Sequence, residues 1–153
     1  MTRKGKVPSM SALVVVGNGQ GAAGYGEGKA EDVPNAIIKA TNRAIKNMTF
    51  FDRYDNRTVH HDIEHKFKAT RIELRARPPG FGNRSNPYIH EVCHCIGIDD
   101  ISGKVRGSRN PINVVKGTFE ALQRQKVAED IAKGRGRKLE DVYHQYYGAP
   151  TRI

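Results

Sequence analysis

The segment from His90 to Cys95 carries side chains with metal-binding chemistry. His90, Cys93, His94 and Cys95 are residue types that bind zinc. However, a Cys-x-Cys pair within a helical pattern directs its two thiols to different faces, and no second pair follows at a standard zinc spacing. Cys93 falls on the apolar stripe of that pattern, where a free cysteine packs as a small hydrophobic residue. The sequence therefore predicts no metal site.

A glycine-rich segment from Gly19 to Gly24 matches the G-x-G-x-x-G spacing of dinucleotide-binding loops. That motif needs a helix to begin within the glycines, so that the helix N-terminus faces the pyrophosphate. Here glycine continues to Gly28, and helix start signals first occur at Asp32. A phosphate loop fails as well, because Ala30 stands where Ser or Thr would hold magnesium. We therefore expect no nucleotide cofactor.

Cysteine–histidine catalysis needs the two side chains within reach of each other and a third group that orients the base. No acidic residue is suggestively placed for that role, so the sequence predicts a protein that is not an enzyme and needs no cofactor. His60, His61 and His65 fall on a strand-like segment. We interpret them as surface or RNA-facing polar residues.

The charge balance of the chain points to a polyanionic partner. Lysine and arginine number 26 against 16 Asp and Glu, which gives a formal net charge of +10. Such a balance favours nucleic acid or an anionic membrane face. The cations are spread through folded-looking sequence, which favours a globular protein with basic surfaces. No apolar run approaches the ~20 residues that a membrane span needs. No secretory signal pattern opens the chain, and its two cysteines favour a reducing compartment.

Basic residues cluster on four different predicted elements. Each cluster alone is equally well explained as a solvated face, but together they predict a protein that polyanion surrounds, positioned through phosphate contacts. Tyr143, Tyr146 and Tyr147 could stack on bases or pack internally. The predicted RNA-contacting residues are Arg3, Lys4, Lys6, Lys29, Lys66, Lys68, Arg71, Arg75, Arg77, Arg84, Lys104, Arg106, Arg109, Arg135 and Arg137.

Hydrophobic periodicity predicts a hairpin followed by a helix in the first part of the chain. Strands are expected over 10–16 and 22–29, with a turn at Asn18-Gly19. Glycine at alternate positions of the second strand requires a neighbouring backbone or a ligand to approach that face. A helix begins near Asp32 and Pro34. Its predicted apolar stripe comprises Val33, Ile37, Ile38, Ala40, Thr41, Ala44, Ile45 and Met48.

A second unit is expected beyond a polar boundary at 52–57. Alternation predicts strands over 59–63 and 71–77, the latter with one apolar and one basic face. A helix should bury Ile89, Val92, Cys93 and Ile96, and a short strand with a turn at Ser102-Gly103 should span 98–105. Asn110-Pro111 begins a helix with Ile112, Val115, Phe119 and Leu122 on one face. A basic, glycine-broken linker over 133–138 then precedes a last short helix built on Leu139, Val142, Tyr143 and Tyr146.

Two stretches of this sequence resemble the S-five family of small-subunit ribosomal proteins. The first reads SALVVVGNG, GYGEGKA and VPNAI within 11–37, and the second reads GSRNPINVV over 107–115. The resemblance runs from about Arg3 to Gln123 and continues more weakly through 134–137. The segments FFDRY at 50–54 and HDI at 61–63 look like those of mitochondrial members.

The resemblance implies an α+β fold with two modules. Residues 1–52 would form an N-terminal double-stranded-RNA-binding-like sheet-plus-helix module, from which the family's first strand, expected before Arg3, is missing. Residues 53–125 would form a small βαβα-type C-terminal module of the family's own kind. Residues 126–153 would be a basic C-terminal extension with a short helix. We expect the chain to represent the middle of a longer precursor.

The resemblance also implies a function. Family members bind small-subunit rRNA near the decoding region and the side at which mRNA enters, contact neighbouring ribosomal proteins four and eight, and support translational accuracy and subunit assembly. A mitochondrial-type member would work in the mitochondrial matrix, on the mitochondrial ribosome. The loop Arg3-Lys4-Gly5-Lys6 matches the family's rRNA-approaching loop, although Lys4 stands where glycine is usual. The alternatives are a double-stranded-RNA-binding module outside the ribosome and an enzyme of nucleotide chemistry.

Overall fold

The chain folds into two antiparallel-rich sheets with helices, as the α+β prediction required. The computed structural model describes Arg3 and residues 5–147, with the backbone alone at Tyr146 and Tyr147. Lys4, a predicted RNA contact, therefore lies outside the described residues. The strands are β1 Met10–Gly17, β2 Ala22–Ala30, β3 Thr49–Phe50, β4 Ile63–Phe67, β5 Thr70–Ala76, β6 Asn83–Arg84 and β7 Ile101–Gly107. The helices are α1 Val33–Lys46, α2 Pro87–Ile96, α3 Pro111–Gln123, α4 Ala128–Arg135 and α5 Leu139–Val142.

The first sheet has the order β1-β2-β3, and β2 pairs antiparallel with both neighbours. Helix α1 lies on this sheet because β2 presents glycine to it at alternate positions. A Cβ on Gly24, Gly26 or Gly28 would collide with backbone atoms of α1. The neighbour that the glycine face requires is thus the helix, and these buried glycines offer no open surface to RNA.

The buried face of α1 differs from the predicted one. Ala40 and Ala44 are buried as expected, and Ala36 joins them on the strip that contacts β2. The larger residues of the predicted stripe lie outside that contact, with about half of their surface exposed. They are Val33, Ile37, Ile38 and Ile45. A small side chain such as alanine fits against backbone that approaches as closely as the β2 glycines allow, whereas isoleucine does not.

The second sheet has the order β4-β5-β7-β6, with antiparallel pairs except for the parallel β6–β7 pair. Helices α2 and α3 cover one face of it. The predicted apolar residues of α2 are all fully buried, as are Ile72 and Leu74 of β5. On α3, Val115, Phe119 and Leu122 are buried as predicted, whereas Ile112 is exposed. No helix in the described part of the chain is long and apolar enough to cross a membrane.

Both α2 and α3 begin at an Asn-Pro pair, and the prediction for α3 is confirmed. The side chain of Asn110 accepts a hydrogen bond from the backbone N–H of Ile112 at 3.1 Å. Asn86 accepts from Tyr88 N–H at 3.1 Å in the same way. Proline then occupies the first helical position, where its missing N–H costs nothing.

Two predicted elements of the second unit were placed wrongly. The strand expected over 59–63 begins only at Ile63, the first residue of β4. The turn expected at Ser102-Gly103 is absent, because β7 runs unbroken through both residues. Gly103 instead lets α2 approach the sheet, since a Cβ there would stand 3.2 Å from Cγ2 of Ile89 in α2.

The two sheets share one hydrophobic core. Ala23 and Phe51 from the first unit belong to the same buried cluster as the residues of β5, α2 and α3. The ring of Phe119 lies 5.1 Å from that of Tyr25 and 5.6 Å from that of Phe51, measured between centroids. The joining segment adds polar contacts, because Arg53 donates a 2.8 Å hydrogen bond to the Gly97 carbonyl.

The last helices form a small cluster of their own. Ala128, Ala132 and Val142 are buried there, while Leu139 is exposed. Helix α4 extends to Arg135, and Gly136 ends it in the left-handed conformation. The linker predicted over 133–138 is therefore wrong for residues 133–135, which form the last turn of α4. The predicted final helix is present as α5, which continues into a π-helical turn at Tyr143–Tyr147.

Candidate nucleic-acid interface

The open face of the second sheet carries the largest set of predicted RNA contacts. Strand β5 alternates as predicted, with Arg71 and Arg75 exposed and Ile72 and Leu74 fully buried. Successive strand residues point to opposite faces, so the two arginines stand on the face turned away from the core. The two-faced strand predicted from the sequence is therefore confirmed.

Neighbouring strands add cations to the same face. Arg71 stands directly opposite Lys66 of β4 on one side and Arg106 of β7 on the other. Two residues further along the strands, Lys104 of β7 stands opposite Glu73 of β5. Arg84 of β6 stands opposite Ser102 of β7. The sheet thus brings together six predicted contacts from separate stretches of sequence, namely Lys66, Arg71, Arg75, Arg84, Lys104 and Arg106.

Two glutamates lie among these cations and were missed in the sequence analysis. Glu73 accepts hydrogen bonds from Arg106 at 2.6 Å and from Arg75 at 3.4 Å, and its side chain is only 16% exposed. Glu64 forms an ion pair with Arg71 at 3.6 Å. The signal was present for Glu73, because its position between Arg71 and Arg75 places it on the same strand face. The pairing with Arg106 needs the strand register, which sequence alone does not give.

A second cationic surface adjoins the start of α2. Arg84, Lys104 and Arg109 line a cleft of about 590 Å³ together with Ser85 and Asn86. Asn86 is the residue that caps α2, so the positive end of the helix faces this region. Charge and helix polarity therefore both favour an anion there.

Arg77 does not join the sheet face. It follows the end of β5, and its guanidinium carbon lies 5.2 Å from the centroid of the Phe81 ring. Arg84 lies over the same ring at 4.6 Å. The carbonyl of Arg77 accepts a 2.8 Å hydrogen bond from Arg57, and its buried Nε has no hydrogen-bond partner. These contacts give Arg77 a role in holding the loop after β5.

The remaining predicted contacts lie on other elements. Lys29 is exposed near the end of β2, and Arg3 and Lys6 are exposed in the N-terminal segment. Lys68 lies in the β4–β5 turn with positive φ, and its Nζ stands 5.5 Å from the centroid of the Phe67 ring. Arg135, the last residue of α4, and Arg137, which follows the helix, are exposed.

The cysteines and histidines of α2 have no metal-like arrangement. Burial raises the pKa of Cys93 to about 12, and burial together with nearby Glu91 raises the pKa of Cys95. The two thiols lie on different sides of the helix, as predicted, and the rings of His90 and His94 stack at 6.5 Å. Within the described part of the chain, no three His, Cys, Asp or Glu side chains are grouped to hold a metal ion.

The histidines before and in β4 have internal partners. His65 is buried and bonds Glu120 at 3.1 Å, so the prediction that it lies on the surface was wrong. His65 shares the inward face of β4 with Ile63, so the predicted alternation of Val59, His61 and Ile63 already indicated its burial. His61 accepts from the backbone N–H of Lys126 at 3.0 Å. Burial lowers the pKa of His60.

The comparison with protein families gives two matches in chain order. Residues 1–52 match the profile of Ribosomal protein S5, N-terminal domain, and residues 65–135 match that of Ribosomal protein S5, C-terminal domain. The two matches together cover the first sheet, the second sheet except for the first two residues of β4, and helices α1 to α4.

Curated relatives agree with these matches. The chain is 56% identical over 146 residues to "Small ribosomal subunit protein uS5m" of Schizosaccharomyces pombe, which covers 95% of this chain and 38% of the relative. It is 41% identical over 134 residues to the uS5m protein of Mus musculus, and this match covers 88% of this chain and 31% of the relative. It thus spans about a third of these relatives' length. Identity to "Small ribosomal subunit protein uS5" of Hyphomonas neptunium is 42% over 138 residues, covering 90% of the chain and 69% of the relative. The chain belongs to the ribosomal protein S5 family.

Proposed function

We propose that this protein is a structural component of the small ribosomal subunit and binds rRNA through phosphate contacts. The observation that carries the proposal is the sheet face on which six exposed cations from four strands meet, in a chain of the S5 family. Phosphate contacts of this kind fix position without reading base sequence. The role is structural and not enzymatic, as it is for the S5 family.

The proposed location is the mitochondrial ribosome, in the mitochondrial matrix. Support comes from the fungal and mouse relatives named uS5m, at 56% and 41% identity. Sedimentation of mitochondrial lysate in a sucrose gradient tests this. The chain should comigrate with small subunits at one copy per subunit and stay bound after a high-salt wash. Recovery as a free protein at the top of the gradient would refute it.

The finer part of the proposal follows the family resemblance. We place the chain near the decoding region and the side at which mRNA enters, beside ribosomal proteins four and eight, with effects on translational accuracy and subunit assembly. Chemical crosslinking of intact subunits, followed by mass spectrometry, tests the two neighbours. Crosslinks from exposed lysines such as Lys29 and Lys104 to other proteins alone would contradict that placement.

The organisation of the chain is also a proposal. A double-stranded-RNA-binding-like unit over 1–52, a family-specific unit over 53–125 and a basic extension over 126–153 fit the order of sheets and helices. The hairpin and the helix lying on it support the first description. Footprinting of rRNA by the full chain and by a variant with the loop residues Arg3 and Lys6 changed to Gln would test whether the first unit contacts RNA.

A further inference from the structure

One row of side chains across the second sheet consists only of cations. Lys66, Arg71 and Arg106 stand directly opposite one another on β4, β5 and β7, and all three are exposed. Adjacent strands lie about 4.8 Å apart, so like charges in directly opposed positions repel. The row therefore concentrates positive charge that none of its own three members offsets.

The neighbouring row is of a different kind. Two residues further along the strands, Glu64, Glu73 and Lys104 stand opposite one another. Acidic and basic charges offset each other there. Between these two rows of the described sheet, only the first gathers positive charge that its own members do not neutralise.

The cation row surrounds a small cleft at the end of the sheet. Lys66, Arg71 and Arg106 line this cleft of about 220 Å³, and its other lining residues are Ala69, Thr70 and Gly107. None of these described lining residues is acidic. The hydroxyl of Thr70 donates a 2.9 Å hydrogen bond to the Ser108 carbonyl, and Ser108 N–H donates to Ala69 at 3.0 Å. The backbone around the cleft is therefore fixed.

The two glutamates outside the cleft hold its arginines by one edge. Glu64 contacts Nε of Arg71 at 3.6 Å, and Glu73 contacts Nε of Arg106 at 2.6 Å. A guanidinium has five N–H donors, so a contact at Nε leaves donors on the terminal nitrogens for another acceptor. Glu73 thus acts as a positioning residue for Arg106, whereas the longer and exposed contact of Glu64 does not fix Arg71 in the same way.

We propose that Lys66, Arg71 and Arg106 form a binding site for one phosphate of an RNA backbone. The proposal rests on the proposed function, since it names the group that this part of the sheet would take from rRNA. Two arginine forks supply directed donors to phosphate oxygens, and the lysine supplies a compact charge. Binding of the phosphate relieves the repulsion within the row, so occupancy of the site stabilises the fold.

The first test is RNA affinity as a function of salt. The full chain and its Lys66→Gln, Arg71→Gln and Arg106→Gln variants are titrated with rRNA purified from small subunits, over a range of KCl concentrations. Each variant should bind more weakly, with the slope of log affinity against log salt reduced by roughly one. The matched control is Lys39→Gln, which removes an exposed charge from α1 and should leave the slope unchanged.

The second test uses inorganic pyrophosphate as the probe and thermal unfolding as the readout. Pyrophosphate should raise the melting temperature of the wild-type chain and of Lys39→Gln, and the rise should be lost in Lys66→Gln. Without anion, Lys66→Gln should melt no lower than wild type, because the row loses a repelling charge. Equal salt slopes for Lys66→Gln and Lys39→Gln, or an undiminished pyrophosphate effect in Lys66→Gln, would overturn the site while leaving RNA binding intact. Absence of RNA binding by the wild-type chain would instead overturn the proposed function.

Discussion

The backbone N–H of Gly21 donates a 2.7 Å hydrogen bond to the carbonyl oxygen of Ile96, the last residue of α2. Gly19 N–H donates likewise to Cys95 at 2.9 Å. The last carbonyls of a helix have no partner within the helix, so the β1–β2 turn satisfies two of them. The glycine spacing that imitates a nucleotide loop therefore joins the first sheet to the second unit.

A first prediction concerns Gly97, the residue that ends α2 under this turn. Gly97 has φ of +88°, and a Cβ there would collide with the carbonyl of Gly19. Gly97→Ala should lower the free energy of unfolding by about 2–3 kcal/mol, from backbone strain and overpacking together. Denaturant unfolding of the full chain followed by circular dichroism measures the change.

Gly134→Ala is the matched control for that substitution. Gly134 lies within α4, and among the described residues no atom outside the local helix backbone stands within 4 Å of a Cβ built on it. Alanine there should raise the free energy of unfolding by about 0.5–1 kcal/mol, since alanine is the better helix former. If both substitutions had similar effects, the turn would not be seated on α2 as described.

The sequence carried enough information to place α1 but not to orient it. Helical spacing and Asp32-Pro34 located its start, and the helix begins at Val33. The pattern favoured bulky Ile37 and Ile38 for the core, because large apolar side chains usually contribute most burial. The spacing between α1 and β2 decided otherwise, and that distance depends on the β2 glycines across the interface. The sequence pattern of α1 alone does not show how closely β2 lets the helix approach.

The second prediction follows from this orientation of α1. Ile38→Gln should change the free energy of unfolding by less than about 0.5 kcal/mol, because Ile38 is 56% exposed. Ala40→Val should lower it by about 1–3 kcal/mol, because Ala40 is fully buried against β2 backbone. Thermal and denaturant unfolding of both variants give the comparison. A larger loss for Ile38→Gln would mean that the predicted stripe, and not the alanine strip, faces the sheet.

The candidate site was predictable in part for the same physical reason. Period-two alternation placed Arg71 and Arg75 on one strand face, and the structure agrees. Which cations gather around Arg71 depends on the pairing of β5 with β4 and β7, and those partners come from distant stretches of sequence. The alternation of Val59, His61 and Ile63 also indicated the inward position of His65, which was nevertheless assigned to the surface because it is polar. The alternation within β5 predicts which face its arginines share, but the strand register is needed to predict which other cations lie beside them.

The third prediction concerns the two thiols of α2. Burial raises the pKa of Cys93 to about 12, so iodoacetamide should leave Cys93 unmodified in the native chain at neutral pH. Cys95 is partly exposed, and its raised pKa should make its alkylation slow at neutral pH and faster as the pH rises above 9.0. Peptide mass spectrometry after timed quenching gives the two rates separately.

The same shift has a consequence for stability at alkaline pH. The folded-state pKa of Cys93 lies above the ordinary value of 9.0, so the folded chain holds this proton more tightly than the unfolded chain does. The stability that this thiol contributes is therefore full below pH 9 and falls as the pH rises towards 12. A Cys93→Ala chain should lack this component of the pH dependence.

The alkylation experiment has its own contradicting outcome. Equal alkylation rates for both thiols in the native chain, and not only in guanidinium, would contradict the buried position of Cys93.

The last prediction compares the two glutamates of the cationic sheet face. Glu73 is 16% exposed and holds two arginines, with Arg106 at 2.6 Å, whereas Glu64 is 65% exposed and pairs only with Arg71, at 3.6 Å, among the described ion pairs. Glu73→Gln should lower the free energy of unfolding by about 1 kcal/mol. Glu64→Gln should lower it by only about 0.3 kcal/mol, because water screens an exposed ion pair. Both losses should shrink as salt is added.

The two substitutions change the net charge equally, so each is the control for the other. A gain in rRNA affinity that comes from net charge alone must be the same in both variants. A positioning role for Glu73 predicts that Glu73→Gln gains less than Glu64→Gln, since Arg106 and Arg75 lose the carboxylate that fixes them. Filter-binding titrations with rRNA at several KCl concentrations separate these cases. Identical affinities and identical salt slopes would show that Glu73 contributes only charge to this face.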